Sequence, residues 1–507
     1  MTTIAPVDTA YQKLLKLNRE GSLLDSTGAV IGWDQETMMP NGGVEHRSRQ
    51  IAQLARLSHG MKTDPRFEDL LNQAEQSCTN QDSPEAANIR EIRRDYEKAT
   101  KLPASLVEEF AQLSSVTQHV WAEARSKSDF AMFKPNLEKL VELSRQKADC
   151  LGIPEGGERW DALADTYEPG MRAQHIASVF EPLRDRLSSL IKELTTSETR
   201  PSNTLNEAII DIEAQARFVR GIAESFGFEF DRGRLDRSVH PFCGGSHCDD
   251  VRMTTRFQSN EFNDAIGSTM HETGHGLYEQ GLPYDMFGSP LGEAVSLGIH
   301  ESQSRMWENQ VGRSESFWQW CAPLVKEQIG GALADLDFDG FYGGANIIRP
   351  GFIRVEADEA TYNLHIMIRF ELERAIIGGD LAVADIPGEW NRMYKDYLGL
   401  EVPEDRVGCL QDVHWSMGAM GYFPTYTLGN LYSAQFFDTA REQIPGLEDG
   451  FSRGEFQPLL DWLRENIHIH GRRYSAGELC ERVTGKPLSA DPLINYLEGK
   501  LRPLYGG

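Results

Sequence analysis

Residues 250–275, DVRMTTRFQSNEFNDAIGSTMHETGH, change period halfway along. In the first part Val251, Met253, Thr255 and Phe257 alternate with Arg252, Thr254 and Arg256, the two-residue period of a strand. Helical patterning resumes near Phe262 and carries through His275. The strand-like part belongs to an interval rich in Gly, Asp and Arg, about 228–258, that opens after Gly227. Upstream of it, helical signals dominate. Asp64-Pro65 reads as an N-cap followed by proline at the first helical position, opening 66–76, and Ser83-Pro84-Glu85 opens a charged helix to about Lys101. Leu106, Phe110 and Leu113 share one face after Pro103, and Leu137, Leu140, Val141 and Ala148 continue the pattern. Ile209, Ile210, Ala214, Phe218, Ile222 and Phe226 mark a further amphipathic helix. Downstream the helical pattern runs almost to the end, with loops expected at 281–291 and 340–351. No internal repeat or long linker divides the chain. The expected fold is mainly α, one body spanning 1–507 with a small β insertion near 228–258.

At 507 residues a soft size prior would allow about three domains, yet a large helical chain can run as one. Hydrophobic residues make up 40% and charged residues 25%, an ordinary globular balance. A formal net charge of -26 argues against nucleic acid or an anionic membrane as the main partner. Seven cysteines, an odd number scattered along a long chain, do not read as a disulfide framework and point to a reducing, cytoplasmic setting. Met1 to Leu15 contains Asp8 and no sustained apolar core, so a secretory signal is not expected. No apolar run approaches the roughly 20 residues of a membrane span.

The helix that follows the strand carries the chemistry. His271 and His275, four apart, lie one turn apart on one face, so both imidazoles can reach one metal ion. Glu272 is rotated by about 100° from His271 and can reach a water on that ion, the geometry of a general base in hydrolysis. Gly274 and Gly276 weaken the helix but allow a neighbouring element to come close. A catalytic zinc needs a third protein ligand and an open position. Glu279, Glu293, Glu301 and Glu308 lie downstream. Glu279 sits on the same stripe, which makes poor tetrahedral geometry. A second helix, 296–310, crossing the first is the better source, and Glu301 within it is favoured over Glu293. The plainer alternative for Glu301 is a surface carboxylate.

His240, Cys243, His247 and Cys248 have metal-ligand side chains, but their spacing matches no common structural zinc pattern, and a loop is the simpler reading. Hydrolysis also needs donors for an oxyanion. Gln411-Asp412-Val413-His414-Trp415 and the tyrosines Tyr422 and Tyr426 are candidates, against the plainer possibility that they are core. Arg354, opening an expected helical run at 353–358, and Arg252 on the strand could clamp a carboxylate bidentately, or could simply be salt-bridged.

Taken together, these segments resemble one family. His240-Pro241-Phe242, Asp250 to Thr254, His271 to His275, His300 to Gln303, Ile353 to Asp358 and Gly408 to Trp415 occur in the order seen in the carboxypeptidase Taq family of metallocarboxypeptidases. Trp33 to Thr37 and Tyr167 to Met171 are similar to its N-terminal half. The resemblance covers nearly the whole chain and implies a large helical, saddle-like body with a deep active-site groove, commonly a homodimer. It implies zinc, replaceable by cobalt, on His271, His275 and Glu301, with Glu272 as base. The expected partners are peptides with a free C-terminus, shortened one residue at a time with broad specificity and poorly at proline. The same resemblance brings His240, Arg252, Arg354, Gln411, His414, Tyr422 and Tyr426 into the groove: Arg252 and Arg354 for the terminal carboxylate, His414 and the tyrosines for the oxyanion. An endo-acting zinc oligopeptidase and a non-enzymatic helical binding protein with a degenerate site remain the alternatives.

Overall fold

Strands β1 (Gly233–Arg237), β2 (Phe242–His247) and β3 (Asp250–Thr255) make a single sheet among the described residues, in the order β1-β3-β2. Strand β1 runs parallel to β3 and β2 antiparallel to it. Every other regular element of the described residues is helical, so the mainly α architecture with a β insertion inside 228–258 is the one the change of period predicts. The computed structural model describes residues 9–507. Residues 1–8, part of the segment read as lacking a secretory signal, lie outside them.

The alternation along β3 holds at Val251 and Met253, which are fully buried, and fails at its end, where Thr254 is buried as well as Thr255. Both threonines are satisfied there. Thr254 Oγ1 accepts from the Phe242 amide and the Ser238 hydroxyl, and Thr255 Oγ1 meets the Ser268 hydroxyl at 3.0 Å. Buried hydroxyls with partners cost little, so a covered strand end does not need apolar residues on both faces. Phe257 lies beyond the strand.

Local capping explains where the helices begin. Arg66–Ser77 opens with the Arg66 amide on Asp64 Oδ1 at 2.8 Å, and Pro84–Lys101 with the Ala86 amide on the Ser83 hydroxyl. Three expectations are corrected by the same physics. Ile209 and Ile210 precede their helix, because Asp211 caps Ile212–Ser225 through the Ala214 amide, and Ile209 is 77% exposed. The first half of the loop expected at 340–351 is a helix, Phe338–Ala345, capped by Asp337. The helical run expected from Ile353 is only a 3-10 turn, Arg354–Glu356, and the helix starts at Tyr362. Asp358 accepts the amides of Arg349, Ala360 and Thr361, which folds the segment into a loop instead.

A large core occupies most of the body, and a smaller one, with Leu14, Leu17, Phe67, Leu71 and Ile92, lies under the N-terminal helices. The helix Phe262–Gly281 runs beneath β3 and is crossed by Leu297–Arg305, which in turn packs on Pro424–Gln443. No helix of the described residues is long and apolar enough to cross a membrane.

Candidate metal centre

His271 and His275 project from the helix Phe262–Gly281 with their ring centroids 4.9 Å apart. The crossing helix begins where the Ser296 hydroxyl accepts the Ile299 amide, and it delivers Glu301 to the same point. Glu301 Oε2 lies 3.5 Å from His275 Nε2 and 3.8 Å from His271 Nε2. Ligand atoms at tetrahedral angles around an ion with bonds of about 2.1 Å sit about 3.4 Å from one another. The donor types and their separations therefore fit a divalent metal ion.

Glycines let the two helices come this close. A Cβ on Gly274 would stand 2.5 Å from the Gln303 carbonyl oxygen and 2.6 Å from Ser304 Cα. On the far side of the crossing helix, a Cβ on Gly429 would stand 2.6 Å from Glu301 Cβ. Gly276 faces Phe228 and Met253 in the same way, so both glycines of the histidine segment do what the sequence suggests.

A second layer of charge orients the donors. After Arg305 the chain forms a π-helical turn, Met306–Val311, that brings Glu308 Oε2 to 2.9 Å from His271 Nδ1. Arg305 bonds Glu301 Oε1 at 2.7 Å and Glu308 Oε2 at 2.9 Å, which leaves Glu301 Oε2 free to face an ion. With Nδ1–H donated to Glu308, the lone pair of His271 Nε2 points at the same place. Burial alone would raise the Glu301 carboxyl, but the Arg305 guanidinium holds it well below the usual range. Glu308→Ala is expected to weaken metal affinity by about 10–100-fold, the usual cost of losing an outer-shell partner. Competition with a chelator measures this, and an unchanged affinity would show that His271 orients itself.

Glu272 lies beside this cluster, 5% exposed, and its Oε2 has no partner among the described residues. Burial pushes its carboxyl up to about 7. The other downstream glutamates are engaged elsewhere: Glu279 takes His300 Nε2 at 2.8 Å, and Glu293 takes Arg472. The interval with His240, Cys243, His247 and Cys248 is a strand and a turn rather than a loop. It brings the donor atoms of His247, Cys248 and Asp249 together and leaves Cys243 and His240 out of that cluster. There His247 Nδ1 already accepts the Asp249 amide, and Asp249 pairs with Arg232.

The residues nominated for substrate fall into two groups. Arg354, His414, Tyr422 and Tyr426 are gathered: Tyr422 packs on His414 at 5.2 Å and on Tyr426 at 5.5 Å, and the Arg354 guanidinium lies 5.2 Å from the Tyr426 ring. Arg354 is itself buried and paired. Its Nε and Nη2 each lie 2.9 Å from Asp412 Oδ1, while Arg369 takes Asp412 Oδ2. Burial lowers His414 to about 4, so it is neutral at physiological pH. The remaining three are placed differently. Gln411 is turned inward, accepting the Arg354 amide and donating to the Phe352 carbonyl. Arg252 pairs with Asp250 and stacks on Trp33 at 4.7 Å, and His240 is exposed between β1 and β2. Sequence reading named Asp412 only as an acid near His414, not as the partner of Arg354 and Arg369, and it missed Arg305, Tyr362 and Arg369 itself. Arg305 and Glu308 follow Glu301 by four and seven positions, a same-face spacing that marks them. Arg369, fully buried in the run Leu364 to Leu372, shows as a lone cation among apolar residues.

A sequence model of the family described as Carboxypeptidase Taq (M32) metallopeptidase matches residues 13–501. Thermostable carboxypeptidase 1 of Thermus thermophilus is 46% identical, over 98% of this chain and 99% of the relative. Carboxypeptidase 1 of Bacillus subtilis is 37% identical, over 98% and 99% respectively. Among solved structures, the M32 carboxypeptidase from Deinococcus radiodurans R1 superposes with a TM-score of 0.95 at 41% identity, covering 99% of this chain and all of that one.

Proposed function

Because the chain belongs to the carboxypeptidase Taq (M32) family and is thus a metal-dependent carboxypeptidase, we propose that it releases single C-terminal amino acids from peptides, with zinc on His271, His275 and Glu301. The observation that carries this reading is the convergence of those three donors beside a buried glutamate with an unpartnered oxygen. A divalent ion held there supplies Lewis acidity that acidifies a water and polarises the scissile carbonyl, and its charge offsets the burial that raises Glu272.

Glu272 takes the proton of the attacking water and hands it to the leaving amine. Tyr422, a phenol with part of its surface open, donates to the oxyanion as the carbonyl is attacked. His414, neutral at this pH, packs on Tyr422 and donates to the oxyanion through a ring N–H. Arg354 receives the terminal carboxylate. Its bonds to Asp412 and Tyr362 still leave N–H groups on Nη1 and Nη2, and the Tyr426 ring flanks it. Arg252 assists from the sheet, and His240 borders the substrate where β1 passes to β2. Gln411, bonded to the Arg354 amide, serves the substrate by fixing that turn. Broad specificity, reluctance at proline, substitution by cobalt, a homodimer, one continuous domain and a cytoplasmic location complete the reading. Seven free cysteines agree with the last.

Peptides that differ only at the C-terminus test the exopeptidase part. Mass spectrometry of the zinc-loaded protein with a free-acid peptide is expected to give a ladder of single C-terminal losses, and the C-terminal amide to remain intact. Internal cuts, or equal turnover of the amide, would replace this reading with an endo-acting oligopeptidase.

A further inference from the structure

Tyr362 opens the helix Tyr362–Gly378 and is 7% exposed. Its ring and its hydroxyl face two different cations. The Arg305 guanidinium lies 4.6 Å from the ring centroid. Arg354 Nη1 donates to the phenol oxygen at 3.0 Å. Arg305 is the group that bonds the metal-facing Glu301 and its neighbour Glu308. Arg354 is the group assigned above to the substrate carboxylate. One side chain thus stands between the ion's ligand shell and the substrate's anchor: the ring lies nearer Arg305, with Arg354 farther off at 5.9 Å, and the hydroxyl bonds Arg354 alone.

The two contacts rest on different physics. A guanidinium over an aromatic face is held by the ring quadrupole, which benzene and phenol share. A charge-assisted hydrogen bond to the hydroxyl needs the oxygen. The Arg354 guanidinium carries five N–H groups, and Asp412 takes Nε and one side of Nη2. Without the phenol, Nη1 loses its only protein acceptor among the described residues, and rotation about the guanidinium axis is no longer opposed on that side. The phenol accepts from Arg354 and, among the described residues, makes no hydrogen bond of its own to a protein acceptor, so its hydrogen is available to a bound anion.

We propose that Tyr362 is a positioning residue with two separable duties: its ring holds Arg305, and through it the Glu301 ligand, while its hydroxyl aims Arg354 at the carboxylate of the peptide. The second duty rests on the assignment of Arg354 made above. Tyr362→Phe keeps the ring and removes the oxygen. It is expected to raise KM for an N-blocked dipeptide roughly tenfold or more, the scale of one lost hydrogen bond to a charged group, with kcat changed less than about threefold and zinc affinity by chelator competition unchanged. Tyr362→Leu removes both contacts and is expected to weaken zinc affinity as well. Arg354→Lys separates this inference from the assignment beneath it. If Arg354→Lys raises KM and Tyr362→Phe does not, the hydroxyl has no aiming role and the inference fails. If Tyr362→Phe also loses zinc, or Tyr362→Leu keeps it, the division of duties fails. If Arg354→Lys leaves KM unchanged, the carboxylate assignment itself is wrong, whatever Tyr362 does.

Discussion

Glu272→Gln is expected to bind zinc as the parent protein does and to lose turnover by about 10²–10⁴-fold, the range that a positioned general base contributes. The substitution preserves shape and removes only the ability to accept a proton. Glu272 does not share the ligand cluster of His271, His275 and Glu301, so metal affinity has no reason to fall. Its Oε2 has no protein partner, so the amide breaks no bond at that atom. Burial already works against the charged form there, pushing the carboxyl up to about 7, and a neutral amide leaves stability equal or slightly higher. Zinc content, thermal unfolding and kcat on one blocked dipeptide separate these effects. A zinc-loaded variant that still turns over at the parent rate would remove Glu272 from the mechanism.

Asp412→Ala carries the largest expected loss of stability. Its carboxylate lies between Arg354 and Arg369, whose side chains are 6% and 0% exposed. Burial alone would raise this acid, yet the two guanidiniums hold it well below the usual carboxylate range. Removing it strands two buried cations, and breaking a buried ion pair from one side costs about 3–5 kcal/mol. Both arginines stay charged at any accessible pH, so neither escapes by deprotonation. The midpoint of denaturant unfolding should fall accordingly, and Asp412→Ala combined with Arg369→Met should recover part of the loss, because one of the two stranded charges is then gone. A shift below about 1 kcal/mol would mean that water reaches the arginines.

The histidine pair was legible because a helix turns every 3.6 residues, so four positions of spacing define one face without any knowledge of the rest. The short alternating segment was legible for the same reason, with a period of two. Glu301 was favoured over Glu293 on a geometric requirement, a donor from a second direction, and Glu293 is turned away to Arg472. The network around Arg354 was not readable. Its anchor, Asp412, lies 58 positions away, and no local pattern records which of two distant charges will share a buried space. The family resemblance puts Gln411 in the groove, but only the folded chain offers it the Arg354 amide and the Phe352 carbonyl. The 353–358 segment misled because its mixed apolar and charged composition resembles a helix start, while the three amides on Asp358 decide its path.

The glycine contacts on both sides of the crossing helix turn the ion site into a ruler. Main chain meets main chain at Gly274, and Gly429 presses on the root of Glu301, so the spacing between the helices that carry the imidazoles and the carboxylate is set by backbone contact. A ruler of that kind would resist any ion that drives the two helices apart. Two imidazoles and one carboxylate suit an ion that takes nitrogen and oxygen ligands at about 2.0–2.2 Å, whereas an ion that needs six to eight oxygens finds a single carboxylate in this donor set. Part of the fit to an ion held by the three proposed ligands would therefore lie in residues that never touch it.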